Sequence, residues 1–251
     1  MKCYARNLGN CSRISSREHF ISEAVLEIEG TSIEISGFPW QNKGESAVIG
    51  KSSLASKILC KYHNEKLSPL DESGRVFLQT LKSVSLCLPN RSIFSEEEIF
   101  LDGNNFELWF LKIFCGLCSL YKDIILSDQI INILFGKEPF PEKWGLYIFG
   151  EEGKASWGYS LFKSIPVYKN NQIVGMKFGI GGLAFILAFG KINSDNPNMK
   201  FIFRPKKIVF EMDGKLKSII LNWNDEAKHG EIQFRIDEII HDSILPYTPI
   251  A

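Results

Sequence analysis

The chain has 251 residues, 45% apolar and 23% charged, the balance of an ordinary globular protein long enough to bury a core without disulfides. Lys and Arg total 29 and Asp and Glu total 29, so the formal charge is zero and no overall basic character points to nucleic acid held by counterion release. The longest apolar run, Gly179 to Gly190, is about half of the roughly 20 residues that cross a bilayer, and Met1-Lys2-Cys3 opens without the apolar region of a secretory signal, so a cytoplasmic chain with reduced thiols and no membrane partner is expected.

Residues 1–22 are polar and carry Cys3 and Cys11. Val25 to Ile35 reads as two short strands around Glu29-Gly30-Thr31, and Gly37 to Gly50 as a loop containing Pro39, Asn42 and Gly44. Lys57 to Cys60 reads as a short strand. A helix is expected from Asn64, followed by a second helical segment, Val76 to Leu88, capped by Ser73 and ended by Pro89. The stretch from Ser92 to Asp102 contains Ser-Glu-Glu-Glu and closes on Asp-Gly. Asn104 is expected to cap an apolar helix through Tyr121, and Asp128 to Phe135 forms a shorter one broken by Gly136.

From Trp144 the pattern turns to short β-rich runs: 159–166, 173–180, 183–189, 201–204, 207–212, 216–223 and 231–236. Turn residues separate them at Lys169-Asn170-Asn171, Gly181-Gly182, Ser194 to Asn198 and Asp213-Gly214. Asp213-Gly214 between two alternating runs is the clearest hairpin signal. An antiparallel sheet over about Trp144 to Ile236 is expected, with Phe178, Ile180, Phe185 and Leu187 buried.

Three pieces carry chemistry. Cys3 and Cys11 stand with seven residues between them; Ser16-Arg17-Glu18-His19-Phe20-Ile21 follows; Leu59-Cys60-Lys61-Tyr62-His63-Asn64-Glu65-Lys66 completes the set. In order and local pattern, residues 3–66 resemble the HNH (His-Me finger, ββα-metal) nuclease family. Members carry a cysteine pair, an Asp/Glu-His followed by apolar residues, and a Cys-x-x-Cys-(His)-Asn segment. The phage junction-resolving endonucleases, with Asn directly after the last zinc ligand, are the nearest pattern. Here the first pair is spaced by seven residues rather than two, His63 stands where a second Cys is usual, and Ser22 replaces a common Pro.

The elements read along the chain make an α+β protein with three segments, of which the resemblance covers the first: an HNH-like zinc-stapled ββα-metal module over 1–75, a helical region over 76–141, and an antiparallel β-rich region over 142–251. Cys3, Cys11, Cys60 and His63 would supply the four ligands of a closed, structural zinc site that staples a module too small to bury its own core. A separate Mg²⁺ would take a carboxylate oxygen from Glu18 and an amide oxygen from Asn64, with His19 as general base on an attacking water. The function expected is a metal-dependent endonuclease, acting on DNA in preference to RNA. The alternative is a non-catalytic zinc module that binds nucleic acid, a protein partner or a second copy of the chain. Residues 1–75 hold ten Lys/Arg against nine Asp/Glu, no strong phosphate footprint.

Other features read as structural. Cys115-Gly116-Leu117-Cys118 lies inside an apolar helix, where Cys behaves as a small hydrophobe. Gly179-Ile180-Gly181-Gly182 reads as a β-turn, His229 and His241 as isolated surface residues, and Trp109, Trp144 and Trp157 as core.

Overall fold

The computed structural model describes residues 3–29, 32–42, 44–121, 124–151, 161–170, 172–192, 199–225 and 229–236. Trp157, His241, the Gly30-Thr31 turn, the 194–198 turn and the start of the 159–166 run lie outside them. In chain order the regular elements are β1 (Ser15–His19), α1 (Glu23–Glu29), β2 (Ser32–Ser36), β3 (Ser46–Gly50), β4 (Ala55–Cys60), α2 (Lys61–Cys87), β5 (Glu97–Asp102), α3 (Gly103–Cys118) and α4 (Asp128–Leu134). There follow β6 (Trp144–Glu151), β7 (Leu161–Lys169), β8 (Gln172–Ile180), β9 (Leu183–Phe189), β10 (Met199–Phe203), β11 (Lys207–Met212), β12 (Lys215–Asn222) and β13 (Glu231–Arg235). The described residues form a mixed α/β fold with three sheets: a ribbon of β1 and β4, a seven-stranded sheet in the order β10-β6-β9-β8-β7-β2-β3, and a four-stranded sheet in the order β13-β11-β12-β5.

Helix α2 runs unbroken through Pro69 where two segments were expected. Proline has no N–H to give the carbonyl four residues back, here Glu65, and the Ser68 hydroxyl donates to that carbonyl at 2.8 Å instead. Ser73 is therefore a buried helix-interior residue and caps nothing. The cap of α3 is Asp102, not Asn104: the Asp102 carboxylate accepts from the Asn105 N–H at 2.9 Å. Ser127 caps α4 in the same way. Residues 23–29 are a helix where a strand was expected; Leu26 N–H reaches back to Ser22 O at 3.0 Å. Residues 46–50, read as loop, form a strand against β2.

The β-rich half follows its alternation. Asp213 (φ 52°) and Gly214 (φ 80°) close a two-residue turn between β11 and β12, and Gly181 and Gly182, also at positive φ, do the same between β8 and β9. Phe178, Ile180, Phe185 and Leu187 are all buried. The expected antiparallel sheet is corrected in two ways: its strands divide between two sheets, and β13 pairs with β11 in parallel; each sheet also takes in an earlier segment in parallel, β2 with β7 and β5 with β12. Helices α2 and α3 pack on the inner face of the seven-stranded sheet, where Phe185 of β9 meets Phe77 of α2 at 5.6 Å and Phe110 of α3 at 5.0 Å between ring centroids.

Two charged side chains enter the core on α3. Glu107 accepts from the Leu146 N–H at 2.7 Å and from Arg204 Nε and Nη2 at 3.1 and 2.9 Å, fastening α3 to β6 and to the turn after β10. Arg204 also donates to Asp225 at 2.7 Å and lies over the rings of Phe203, Trp223 and Phe140. The second charge, Lys112, belongs to the site below. Cys115 and Cys118 are buried on the same helix, and burial pushes both thiols up, which leaves them protonated apolar fillers. His229 is not isolated: its ring sits beside Trp223 and pairs with Asp225. Among the described residues no helix is long and apolar enough to cross a membrane.

Candidate metal centre

The β1–β4 ribbon is antiparallel, with Ser15 opposite Cys60 and His19 opposite Ala55. Cys60 ends β4 and is the residue from which α2 starts, so His63 falls in the first helical turn, three residues on. The N-terminal segment is tied to the same ribbon: Tyr4 N–H donates to Ile58 O at 3.0 Å, and Lys61 N–H donates to Ile14 O at 2.9 Å. These bonds bring Cys3 and Cys11 over the strand-to-helix junction.

There Cys3, Cys11, Cys60 and His63 converge, with all four candidate ligand atoms within 4.8 Å of one another. His63 Nδ1 is 3.5 Å from Cys3 Sγ, 3.6 Å from Cys11 Sγ and 3.2 Å from Cys60 Sγ. A tetrahedral zinc with Zn–S of about 2.3 Å and Zn–N of about 2.0 Å holds nitrogen and sulfur about 3.5 Å apart, so the donor set fits such an ion. Its chemistry fits as well: three thiols and one imidazole are the soft and borderline donors that zinc takes. Burial lowers the pKa of His63 and keeps the ring neutral, the form that can donate a lone pair. Burial raises Cys60, but hydrogen bonds from the backbone of His63 and Ser12 and from Cys11 and Cys3 outweigh it and the thiol is lowered. Burial, followed by neighbouring Cys3 and Cys60, pushes the Cys11 thiol up to about 11. The group can hold a metal such as zinc. His63 is further fixed by edge contacts with Tyr62 and Phe135, at 5.2 and 5.3 Å.

The residues expected to do chemistry divide between two environments. Alternation along β1 sends the neighbours Glu18 and His19 to opposite sides of the ribbon. His19 keeps some exposure and lies 3.9 Å from Glu23; burial lowers its pKa, against the pull of Glu23. Asn64, in the first turn of α2, donates from Nδ2 to Ser16 Oγ on β1 at 2.9 Å. Glu18 is only 5% exposed and faces α3, where its Oε1 is 2.9 Å from Lys112 Nζ. Lys112 in turn donates to both oxygens of Asp71 on α2, at 2.7 and 2.9 Å. Ser22 Oγ donates to Asp71, and Trp109 Nε1 donates to Ser22 Oγ at 3.0 Å. Burial pushes Glu18 up despite Lys112, while the two carboxylates outweigh burial and hold Lys112 charged.

Lys112 and Asp71 are absent from the expected site. Both had a signal. Asp71 lies seven residues after Asn64, on the same helix face. Lys112 is a lone cation in the apolar run Trp109–Phe114, and a buried ammonium requires a buried partner. No family model, no curated protein and no solved structure is similar enough to this chain to count as a match.

Proposed function

We propose that the HNH-like segment over residues 1–75 forms a zinc-stapled ββα-metal module, and that this module cleaves phosphodiester bonds, DNA in preference to RNA, with His19 as the general base. The observation that carries the reading is the order of the parts. Strand β4, paired antiparallel with β1 across an insertion of α1, β2 and β3, runs directly into α2, and the Cys3, Cys11, Cys60 and His63 donors gather where strand becomes helix. That junction sets Glu18-His19 on one strand and Asn64 on the first helical turn, with Asn64 bonded back to the strand through Ser16. A neutral imidazole near pH 7 suits a base that takes a proton from water.

Zinc fits its four donors, and its role would be to hold ribbon, helix and N-terminal segment in register. Mg²⁺ does not fit Glu18 as the side chain stands, because the carboxylate is buried against the Lys112 ammonium. No step is assigned to that cation. The same ion pair, with the near-neutral charge of residues 1–75, favours a second reading: a zinc module without catalysis that binds nucleic acid, a protein or a second copy of the chain. The deciding experiment combines metal analysis with cleavage assays on plasmid, single-stranded DNA and RNA, for wild type and His19→Ala. Cleavage lost in His19→Ala at unchanged zinc content supports the nuclease; no cleavage by zinc-loaded wild type with any added divalent metal leaves the binding module.

A further inference from the structure

Strand β3 is an outer strand of the seven-stranded sheet, and its edge is unguarded. Among the described residues it pairs with β2 on one side and with no strand on the other. Of its residues only Ile49 turns onto the core; the rest are exposed, Val48 to 70%. The strand reads Ser46-Ala47-Val48-Ile49-Gly50, with no charge, no proline and no break in register against β2. Charge, proline and bulges are the devices that keep a bare edge from pairing with another chain. The other edge strands of the two larger sheets carry charge: Lys200 on β10, Glu231 and Arg235 on β13, and Glu97, Glu98 and Asp102 on β5.

The charges of β3 lie instead just beyond its two ends, and they are opposite in sign. Glu45 precedes the strand and is exposed, its carboxylate held at 2.8 Å by the side-chain amide of Asn42, a neutral partner. Lys51 follows the strand in the sequence. Antiparallel pairing of two copies about Val48 sets Ser46 against Gly50, Ala47 against Ile49 and Val48 against itself. One residue further out, position 45 of each chain stands opposite position 51 of the other, an acid against a base at both ends. Sliding the register loses both charge pairs, so the edge is complementary to its own copy in one alignment.

We infer that the free edge of β3 is a docking surface for a second copy of this chain, joined antiparallel about a two-fold axis at Val48, so that the seven-stranded sheet continues into that of its partner. A two-fold pair uses the edge of both copies and closes there. The contact stands apart from the nuclease reading and holds whether or not the module cleaves. A five-residue edge buries less than the ~1,200 Å² of a standard interface, so the dimer is weak and follows concentration.

The test is sedimentation equilibrium of the full chain, from micromolar to several hundred micromolar, where wild type is expected to show a monomer–dimer equilibrium. Val48→Lys sets two ammonium groups face to face across the axis. Glu34, opposite Val48 on β2, offers each of them a partner within its own chain, so the fold is kept. The dimer should weaken at least about tenfold, with the circular dichroism of the monomer unchanged. Lys51→Glu puts acid against acid and should weaken the dimer about threefold or more. Glu45→Lys added to Lys51→Glu restores opposite charges and should restore the wild-type affinity. A wild type that stays monomeric over the whole range overturns the inference. So does open-ended association, which a closed two-fold contact excludes. A dimer that folded Val48→Lys leaves unchanged lies on another face and overturns it too. Should Val48→Lys fail to fold, the charge exchange decides: a dimer weakened by Lys51→Glu and recovered in the double variant upholds the edge in this register, and any other pattern rejects it.

Discussion

The indole of Trp109 occupies the space that a side chain at Gly74 would need: a Cβ built at position 74 stands 2.6 Å from both Cζ2 and Nε1 of the ring. Trp109 is fully buried and hydrogen-bonded to Ser22, so it cannot step aside cheaply. Helix propensity alone makes Gly74→Ala favourable by about 1 kcal/mol. Overpacking of a core costs about 1–3 kcal/mol, and this contact belongs at the upper end. Gly74→Ala is therefore expected to lower stability by a net of about 2 kcal/mol, read from urea unfolding followed by Trp fluorescence. A stabilised Gly74→Ala would show that α2 and α3 can move apart.

Purified protein is expected to carry one zinc per chain by elemental analysis. Cys60, fully buried at the junction of β4 and α2, is the ligand whose loss should be felt most. Cys60→Ala should lose zinc and soluble yield together, because metal binding at such a site is coupled to folding. Cys60→Ala that stays folded with a full zinc complement would remove the site.

The candidate metal ligands were legible in the sequence because their residue types are few and their pattern is local: Cys60 and His63 three apart, Cys3 and Cys11 upstream. Strands β8, β9, β11 and β12 were legible because short apolar or alternating runs and the positive-φ turn residues at 181–182 and 213–214 act over short range; β9 is a continuous apolar run buried along nearly its whole length. Strands β3 and β5 were not: both are largely exposed, and β5 is defined only by β12, more than a hundred residues later. The β-branched Val25 and Ile28 suggested strand, while the seven-residue α1 is too short for helical periodicity to show. Glu18 was placed on a cation because its partner, Lys112, lies on another element, and the pairing is a tertiary fact.

Glu107→Ala is expected to cost about 3 kcal/mol, the low end for breaking a buried ion pair. The change strips the Leu146 N–H of its acceptor and leaves Arg204 half-paired, while Asp225 and the surrounding rings still hold the guanidinium. Chemical denaturation measures it, and a loss below about 1 kcal/mol would mean that the pair contributes no more than an exposed one.

His19→Ala should reduce any cleavage by about 10²- to 10⁴-fold with zinc content unchanged. A pH signature accompanies it. Burial lowers the His19 pKa in the folded state, so between that value and about 6.5 the unfolded chain binds more protons. Stability contributed by this residue is complete above about pH 6.5 and falls as the solution is acidified through that window. His19→Gln removes the titration, and its stability should decline less than that of wild type over this range. Parallel curves for the two proteins would show that the ring titrates alike in both states.

The parallel pairings of β2 with β7 and of β5 with β12 bear on how the chain can be made. Translation delivers the ribbon, α2 and the Cys/His group within the first ninety or so residues, and these can assemble while the chain is still growing. β5 has no neighbour until β12 emerges, and one side of β2 has none until β7 does. Until then both present bare hydrogen-bonding edges, and contacts of such long sequence separation form slowly. A ribosome that stalls between α4 and β6 would therefore hold out an unfinished body, its Cys/His group gathered and two strands open, a substrate for chaperones and for self-association.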